Sequence, residues 1–489
     1  MSALPPFLPE LAFVDPSGQN RAEIEALLHQ VVEQLIVEMS QAIDRSPLPE
    51  SMADDVLRQW ATIPQNSVPL NALLARLRSH IRHAMNAAHP GYIGHMDSLP
   101  TTMSIVGDLV VAALNNNMLS VEMSPVFSRL EPLLLGQIAG RLGLGDASGG
   151  VLVSGGSLAN LQALTVARNA AFDALKTGVV GLAEHPVFFI SEVAHTSMQK
   201  AAMMMGLGSE AAIALRTNTN SQVDIDDLQA KLRQCKQLGQ RPFAIVATAG
   251  TTVTGNVDPI IEMADIAQVN GLWFHVDAAY GGALIFSDEY RHVLAGIDRA
   301  DSITFNPQKW LYVTKTCAAV LFKNFNALKQ HFRIRAPYMG DDDQWPNLGE
   351  LTVQGTRHPD ILKLWLSLQH LGTEGYAAII RHNYALKETF VKRVRDRSFL
   401  QLASEPQMNL VCFRLAPVDT DESQLDMLNA QLQGYLLQTV CDREAVFLSL
   451  PMYKGRRWLK AVLLNPYTSE DTLKALFKNI DQFVQTHLE

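Results

Sequence analysis

Two side chains in the middle of this sequence could do covalent chemistry together. Asp277 follows the apolar run Trp273-Phe274-His275-Val276 and precedes Ala278-Ala279-Tyr280-Gly281-Gly282. A carboxylate at the end of a buried strand needs a cationic or hydrogen-bonded partner, and the small residues behind it leave room for one. Thirty-two residues further on, Asn306-Pro307-Gln308-Lys309-Trp310 sets a lysine in apolar, aromatic surroundings. Desolvation there favours the neutral, nucleophilic amine, although a lysine beside tryptophan is also a common way to lay an aliphatic stem on a surface. The third feature is Ser154-Gly155-Gly156-Ser157, which joins a strand end to a helix start. Glycine lets the backbone approach an anion, and the helix start supplies free N–H groups. The same run also suits a plain serine cap, and it matches neither common nucleotide-phosphate pattern. Phosphate turn, strand-end aspartate and desolvated lysine together are what pyridoxal 5'-phosphate (PLP) requires: a cradle, an anion for its ring nitrogen and an amine for its aldehyde.

These residues need a sheet to hold them. From about residue 150, short β-rich runs at 150–153, 187–190, 212–215, 244–247 and 273–276 alternate with helical runs at 158–171, 197–207, 225–238 and 260–269. Such alternation predicts a mostly parallel sheet covered on both faces, with ligands at the carboxyl ends of its strands. Residues 302–305 and 318–322 add two more strands. Beyond them, strands at 410–415, 446–450 and 458–464 with helices at 424–440 and 469–486 predict a small α+β unit. Ahead of the sheet, Ile24, Leu27, Leu28, Val31, Leu35, Met39 and Ile43 recur at helical spacing. The irregular stretch 335–355, rich in Gly, Pro and Asp, reads as a functional lid. The expected organisation is a helical arm over residues 1–85, a large cofactor domain over 86–375 that carries the lid, and a small domain over 376–489.

Composition narrows the class. The 489 residues carry 40 Lys+Arg against 49 Asp+Glu, a net charge of −9, which argues against a nucleic-acid partner. The four cysteines, Cys235, Cys317, Cys412 and Cys441, show no metal-ligand spacing, so neither a metal nor a disulfide framework is expected. No basic leader and no unbroken apolar run of about 20 residues is present, so a cytoplasmic protein without a membrane span is expected.

The run Asn306–Trp310, with His275-Val276-Asp277-Ala278-Ala279-Tyr280 upstream, resembles the group II pyridoxal-phosphate amino-acid decarboxylases. That group includes the glutamate, cysteine-sulfinate and aromatic-L-amino-acid decarboxylases, and the resemblance extends from about residue 89 to 466. It implies an α/β, aminotransferase-like fold (fold type I) with a large mostly parallel sheet domain and a small C-terminal α+β domain. It also implies PLP as cofactor, an amino-acid substrate and a homodimer. By motif, Lys309 resembles the lysine that carries the cofactor and Asp277 the partner of its pyridine nitrogen. Ala279 resembles the small residue packed on the ring, His195 the imidazole stacked over it, and Thr248 the threonine beside it. Gly156, Ser157, Ser302 and Asn306 resemble phosphate ligands. Tyr338, within Ala336-Pro337-Tyr338-Met339-Gly340, resembles the tyrosine of a mobile catalytic loop that protonates the substrate carbanion. Gln354-Gly355-Thr356-Arg357-His358 resembles a segment near the partner subunit's cofactor.

Two positions depart from the pattern. Gln308 stands where many members have histidine. Lys460 stands where glutamate-type members have a carboxylate-binding arginine, and lysine keeps the charge but loses the bidentate fork. Tyr92 and His95 are candidates for the side-chain pocket, offering an aromatic wall and a potential cation. The expected activity is α-decarboxylation of an aromatic or acidic L-amino acid to its amine and CO2. An aminotransferase or retro-aldol lyase of the same fold shares the cofactor anchors, and a catalytically silent structural paralogue is a further alternative.

Overall fold

Runs of Val, Ile, Phe and Ala closed by polar or glycine punctuation pack here into one buried sheet. The structure is a computed structural model, and it describes all residues except 1–7, 10, 338–339, 341–344, 419 and 488–489. The sheet contains β1 (Gly149–Val153), β2 (His185–Ser191), β3 (Ala212–Leu215), β4 (Gln240–Thr248), β5 (Trp273–Ala278), β6 (Ser302–Phe305) and β7 (Ala318–Phe322). Their order is β1-β7-β6-β5-β4-β2-β3. The β2/β3, β2/β4, β4/β5 and β5/β6 pairs are parallel, and β7 runs antiparallel to both β1 and β6. Every residue of β1, β6 and β7 is buried, which explains why these strands read as continuous apolar runs rather than alternating ones.

The sheet is flanked by α6 (Gly156–Phe172), α8 (Ser197–Met204), α9 (Ile225–Gln237) and α10 (Ile260–Asn270). The short α7 (Ala174–Thr177) follows α6, and α4 (Thr102–Leu114), α5 (Phe127–Arg141) and α11 (Phe325–His331) complete this part. A long helical run, α12 (Ile361–Arg395), is broken at Gly372, where φ is 62°, a conformation that glycine adopts without Cβ strain. Leading out of it, β8 (Leu400–Leu402), β9 (Leu410–Leu415) and β12 (Leu459–Val462) form a small antiparallel sheet in the order β12-β9-β8. The chain also makes α13 (Glu422–Gly434) and a ribbon of β10 (Met452–Tyr453) and β11 (Arg456–Arg457). The strand expected at 446–450 does not form: Phe447 and Ser449 make only isolated bridges, to Tyr92 and Lys460 respectively.

Two compact units result. One comprises Ile93–Ala430 and Leu448–Pro466 and contains both sheets; the other comprises Met1–Tyr92, Gln431–Phe447 and Tyr467–Glu489. The second holds α1 (Arg21–Ser40), α2 (Asp54–Ala61), α3 (Leu70–His83) and α14 (Glu470–His487). Glu38 of α1 is buried there and receives Arg82 at 2.8 Å, Arg78 at 3.4 Å and Arg45 at 3.7 Å. Among the described residues no helix is long and apolar enough to cross a membrane.

Candidate active site

The carboxyl ends of the parallel strands converge on one cavity. Its walls are Gly156, Ser157, Asn160, His195, Thr248, Gly250, Thr252, Asp277, Ala279, Asn306 and Lys309. Eight of these were marked by sequence. The turn after β1 ends at Gly155, and no side chain caps the start of α6 at Gly156, so its first N–H groups face outward. A Cβ on Gly156 would stand 2.8 Å from Asn306 Nδ2 and would displace that side chain from the cradle.

Lys309 follows β6 in a tight turn, its N–H donating to the Asn306 carbonyl at 3.1 Å. The next residue anchors it. Trp310 is buried, donates through Nε1 to Asn383 Oδ1 at 2.7 Å, and stacks on Tyr280 with ring centroids 5.0 Å apart. Such a stack adds about 1 kcal/mol beyond its burial and removes freedom from the backbone that carries the lysine. Burial pushes the Lys309 pKa below the ordinary ammonium value, against the pull of Asp277 and Asp97. This desolvation favours the neutral amine.

Asp277 is buried at the end of β5. Its Oδ1 accepts from the Ala279 N–H at 3.1 Å and its Oδ2 from Asn160 Nδ2 at 2.9 Å. His195 presents an exposed ring to the cavity, with Nδ1 2.9 Å from the Ser197 hydroxyl. Desolvation by the surrounding walls lowers its pKa, and Asp277 opposes that shift. Thr248 closes β4, its N–H held by the buried Asp258 carboxylate at 2.8 Å.

These residues fit PLP. Asn306 Oδ1 is buried in the wall with no hydrogen-bond partner, and such a group is costly unless something from outside the chain completes it. An uncapped helix start, a strand-end carboxylate and a desolvated amine match phosphate, ring nitrogen and aldehyde in turn.

Other sequence candidates fall elsewhere. Ser302 stands at the amino end of β6, opposite in strand direction from the cavity. It is fully buried, with its hydroxyl 2.8 Å from both Trp273 Nε1 and His275 Nδ1. Its assignment as a phosphate ligand is thereby corrected. Tyr92 belongs to the other compact unit, where it is buried and stacks on Phe447 at 5.4 Å. Tyr338 lies outside the described residues.

Lys460 on β12 is 5% exposed, and its Nζ is 3.3 Å from the carbonyl of Thr252, a residue of the cavity wall. Burial lowers its pKa to about 8; Cys412 and Asp97 oppose the shift and Lys309 adds to it. His95 is likewise lowered, by desolvation first and by Lys460 second. Asp97 is already paired with Lys315 at 2.5 Å.

Sequence reasoning missed Asn160, Gly250 and Thr252 in the cavity wall, and His275 and Thr304 behind it. A visible signal existed for the last two. Polar residues two apart on buried strands, His275 with Asp277 and Ser302 with Thr304, share a sheet face, and the strands align His275 with Ser302 and Asp277 with Thr304.

The architecture is that of the fold-type-I PLP enzymes. Within that class, the pyridoxal-dependent decarboxylase conserved domain matches residues 53–416, and the chain belongs to this family. It is a PLP-dependent carboxy-lyase. Mouse CSAD in its apo form is 26% identical with a TM-score of 0.88, covering 95% of this chain and 99% of that one. The glutamate decarboxylase domain of a Vibrio parahaemolyticus diaminobutyrate-pyruvate transaminase and L-2,4-diaminobutyrate decarboxylase is also 26% identical. Its TM-score is 0.80, over 94% of this chain and 96% of that one. Oryza sativa TDC with PLP and tryptamine shares the fold, at 24% identity and a TM-score of 0.87 over 96% and 99% of the two chains.

Proposed function

We propose that the enzyme removes the α-carboxylate of an L-amino acid with an acidic side chain, releasing CO2 and the corresponding amine. The observation that carries the substrate class is Lys460. It is a buried ammonium beside the cavity wall, and among the described residues it has no carboxylate within ion-pair distance. A buried charge without a counter-ion is expensive, and an anionic substrate group would complete it. The nearby carboxylate, Asp97, is committed to Lys315.

In this proposal Lys309 holds the cofactor aldehyde, Asp277 faces the ring nitrogen, and Ala279 and His195 flank the ring. Gly156, Ser157 and Asn306 hold the phosphate, with Thr248 beside the ring. PLP bound there supplies the electron sink for the pair left behind when CO2 departs. The proton that replaces the carboxylate at Cα is assigned to Tyr338 on the family resemblance. Among the described residues, Glu350 receives the Arg333 guanidinium at 2.6 Å and the Ala336 N–H at 3.0 Å, which fixes the start of the 335–355 stretch. A closed lid excludes water from the reacting carbon.

A homodimer completes the proposal. Helix α1 exposes Leu28, Val32, Leu35, Ile36 and Met39, an apolar face of the kind that oligomer contacts cover. Sedimentation equilibrium should give twice the chain mass, and a monomer at micromolar concentration would remove this part. For the substrate, CO2 release should be scored over L-glutamate, L-aspartate, L-cysteine sulfinate, L-tryptophan and L-tyrosine. Turnover confined to the anionic side chains is expected; turnover of the aromatic ones alone would overturn the acidic assignment.

A further inference from the structure

The polar residues behind Asp277 form a directed chain rather than scattered contacts. Trp273 Nε1–H can only donate, and it meets the Ser302 hydroxyl at 2.8 Å. That hydroxyl lies 2.8 Å from His275 Nδ1, and His275 Nε2 lies 3.1 Å from Asn160 Oδ1. Thr304 Oγ1 donates to the same Asn160 oxygen at 2.6 Å. With Asn160 Oδ1 accepting, its Nδ2 carries two hydrogens, directed at Asp277 Oδ2 at 2.9 Å and at Ser197 Oγ at 3.0 Å. Ser197 in turn reaches His195 Nδ1 at 2.9 Å. Burial holds the His275 pKa down at about 4, so the ring is neutral and carries one hydrogen. The chain satisfies every member only if that hydrogen is on Nε2, with Ser302 donating to Nδ1. Asn160, His275, Ser302 and Thr304 are each nine-tenths or more buried. Polar groups at such depth are costly unless completely paired, and nothing in a sheet-on-helix contact requires them.

We propose that Asn160 is a positioning residue for the cofactor: its one amide fixes both Asp277, which faces the ring nitrogen, and, through Ser197, His195, which lies against the ring face. The relay from Trp273 to His275 sets the orientation of that amide, and the amide sets which lone pairs of Asp277 remain free for the ring nitrogen. This rests on reading Asp277 as the nitrogen's partner. The titratable and charged groups facing Asp277 are His195 after β2, His275 on its own strand and Lys309 after β6.

The test uses holoenzyme loaded with PLP labelled with nitrogen-15 in the ring, whose chemical shift reports the ring proton across pH. In the parent enzyme the nitrogen should be protonated at neutral pH. Asn160→Leu should lose that proton roughly one to two pH units lower and bind PLP about tenfold or more weakly on titration of the apoprotein. Thr304→Val, nearly isosteric, should move both readouts in the same direction by less. A merely structural Asn160 would change stability without moving the nitrogen titration. If Asp277→Asn abolishes ring protonation while Asn160→Leu titrates like the parent, the proposal fails and the Asp277 assignment stands. Should Asn160→Leu not fold, parent-like titrations in both Thr304→Val and Ser302→Ala overturn the proposal. A parent enzyme with an unprotonated ring nitrogen overturns both.

Discussion

Replacing Lys460 by methionine should make the protein more stable at neutral pH and a poorer enzyme. The folded state carries this ammonium at 5% exposure with one carbonyl for company, and its pKa falls from 10.5 to about 8, chiefly by burial. Below pH 8 both folded and unfolded chains are protonated here, and the folded state bears the full desolvation penalty. Between about 8 and 10.5 the unfolded chain binds more protons, so stability rises with pH. Above about 10.5 both forms are neutral and the penalty is gone. A shift of that size corresponds to roughly 3 kcal/mol. Lys460→Met keeps the stem volume and removes the charge, so its unfolding free energy from urea denaturation should exceed the parent's at pH 7 by an amount of that order. The gap should close towards pH 10.5. In the same variant KM for an acidic substrate should rise roughly ten- to a hundredfold, the worth of a hydrogen bond to a charged group. A variant that is less stable than the parent at pH 7, with KM unchanged, would refute both the unpaired-ammonium argument and the acidic-substrate assignment.

Other perturbations probe the cradle and its supports. Arg357 and Glu131 form a buried pair at 3.1 Å, and both bind Leu152 on β1, just ahead of the phosphate turn. Arg357→Met strands the Glu131 carboxylate and should cost about 3–5 kcal/mol in urea denaturation, whereas a loss below about 1 kcal/mol would contradict a closed pair. Gly156→Ala drives a Cβ to 2.8 Å from the Asn306 amide. PLP affinity should drop about tenfold or more while far-ultraviolet circular dichroism is unchanged, and unaltered affinity would show that the cradle lies elsewhere.

Much of the cavity lining was legible because its parts occupy short runs whose local structure is dictated locally. The strand carrying Asp277 and the turn carrying Lys309 each stand within a few residues of their own punctuation. The supporting shell was less visible. Asn160 reaches Asp277 across 117 residues, and no local pattern says that a helix amide will land on that carboxylate. Ser302 illustrates the opposite error: motif proximity to Asn306 suggested a phosphate ligand, but four strand residues carry it to the far end of β6. Residues 446–450 were apolar enough for a strand and are largely buried, yet they make only isolated bridges, because burial alone does not supply a neighbouring strand edge. The division of the chain into units was also hidden, since one of them is assembled from three separated segments.

Two amines with lowered pKa values stand at this cavity, the half-buried Lys309 and the buried Lys460, and the central claim separates them. Borohydride reduction of the PLP-loaded enzyme, followed by peptide mass spectrometry, shows which amine holds the cofactor. The pyridoxyl mass should appear on the peptide containing Lys309, and Lys309→Ala should lose both that label and CO2 release. A label on Lys460, or full CO2 release by Lys309→Ala, would contradict the assignment of the site.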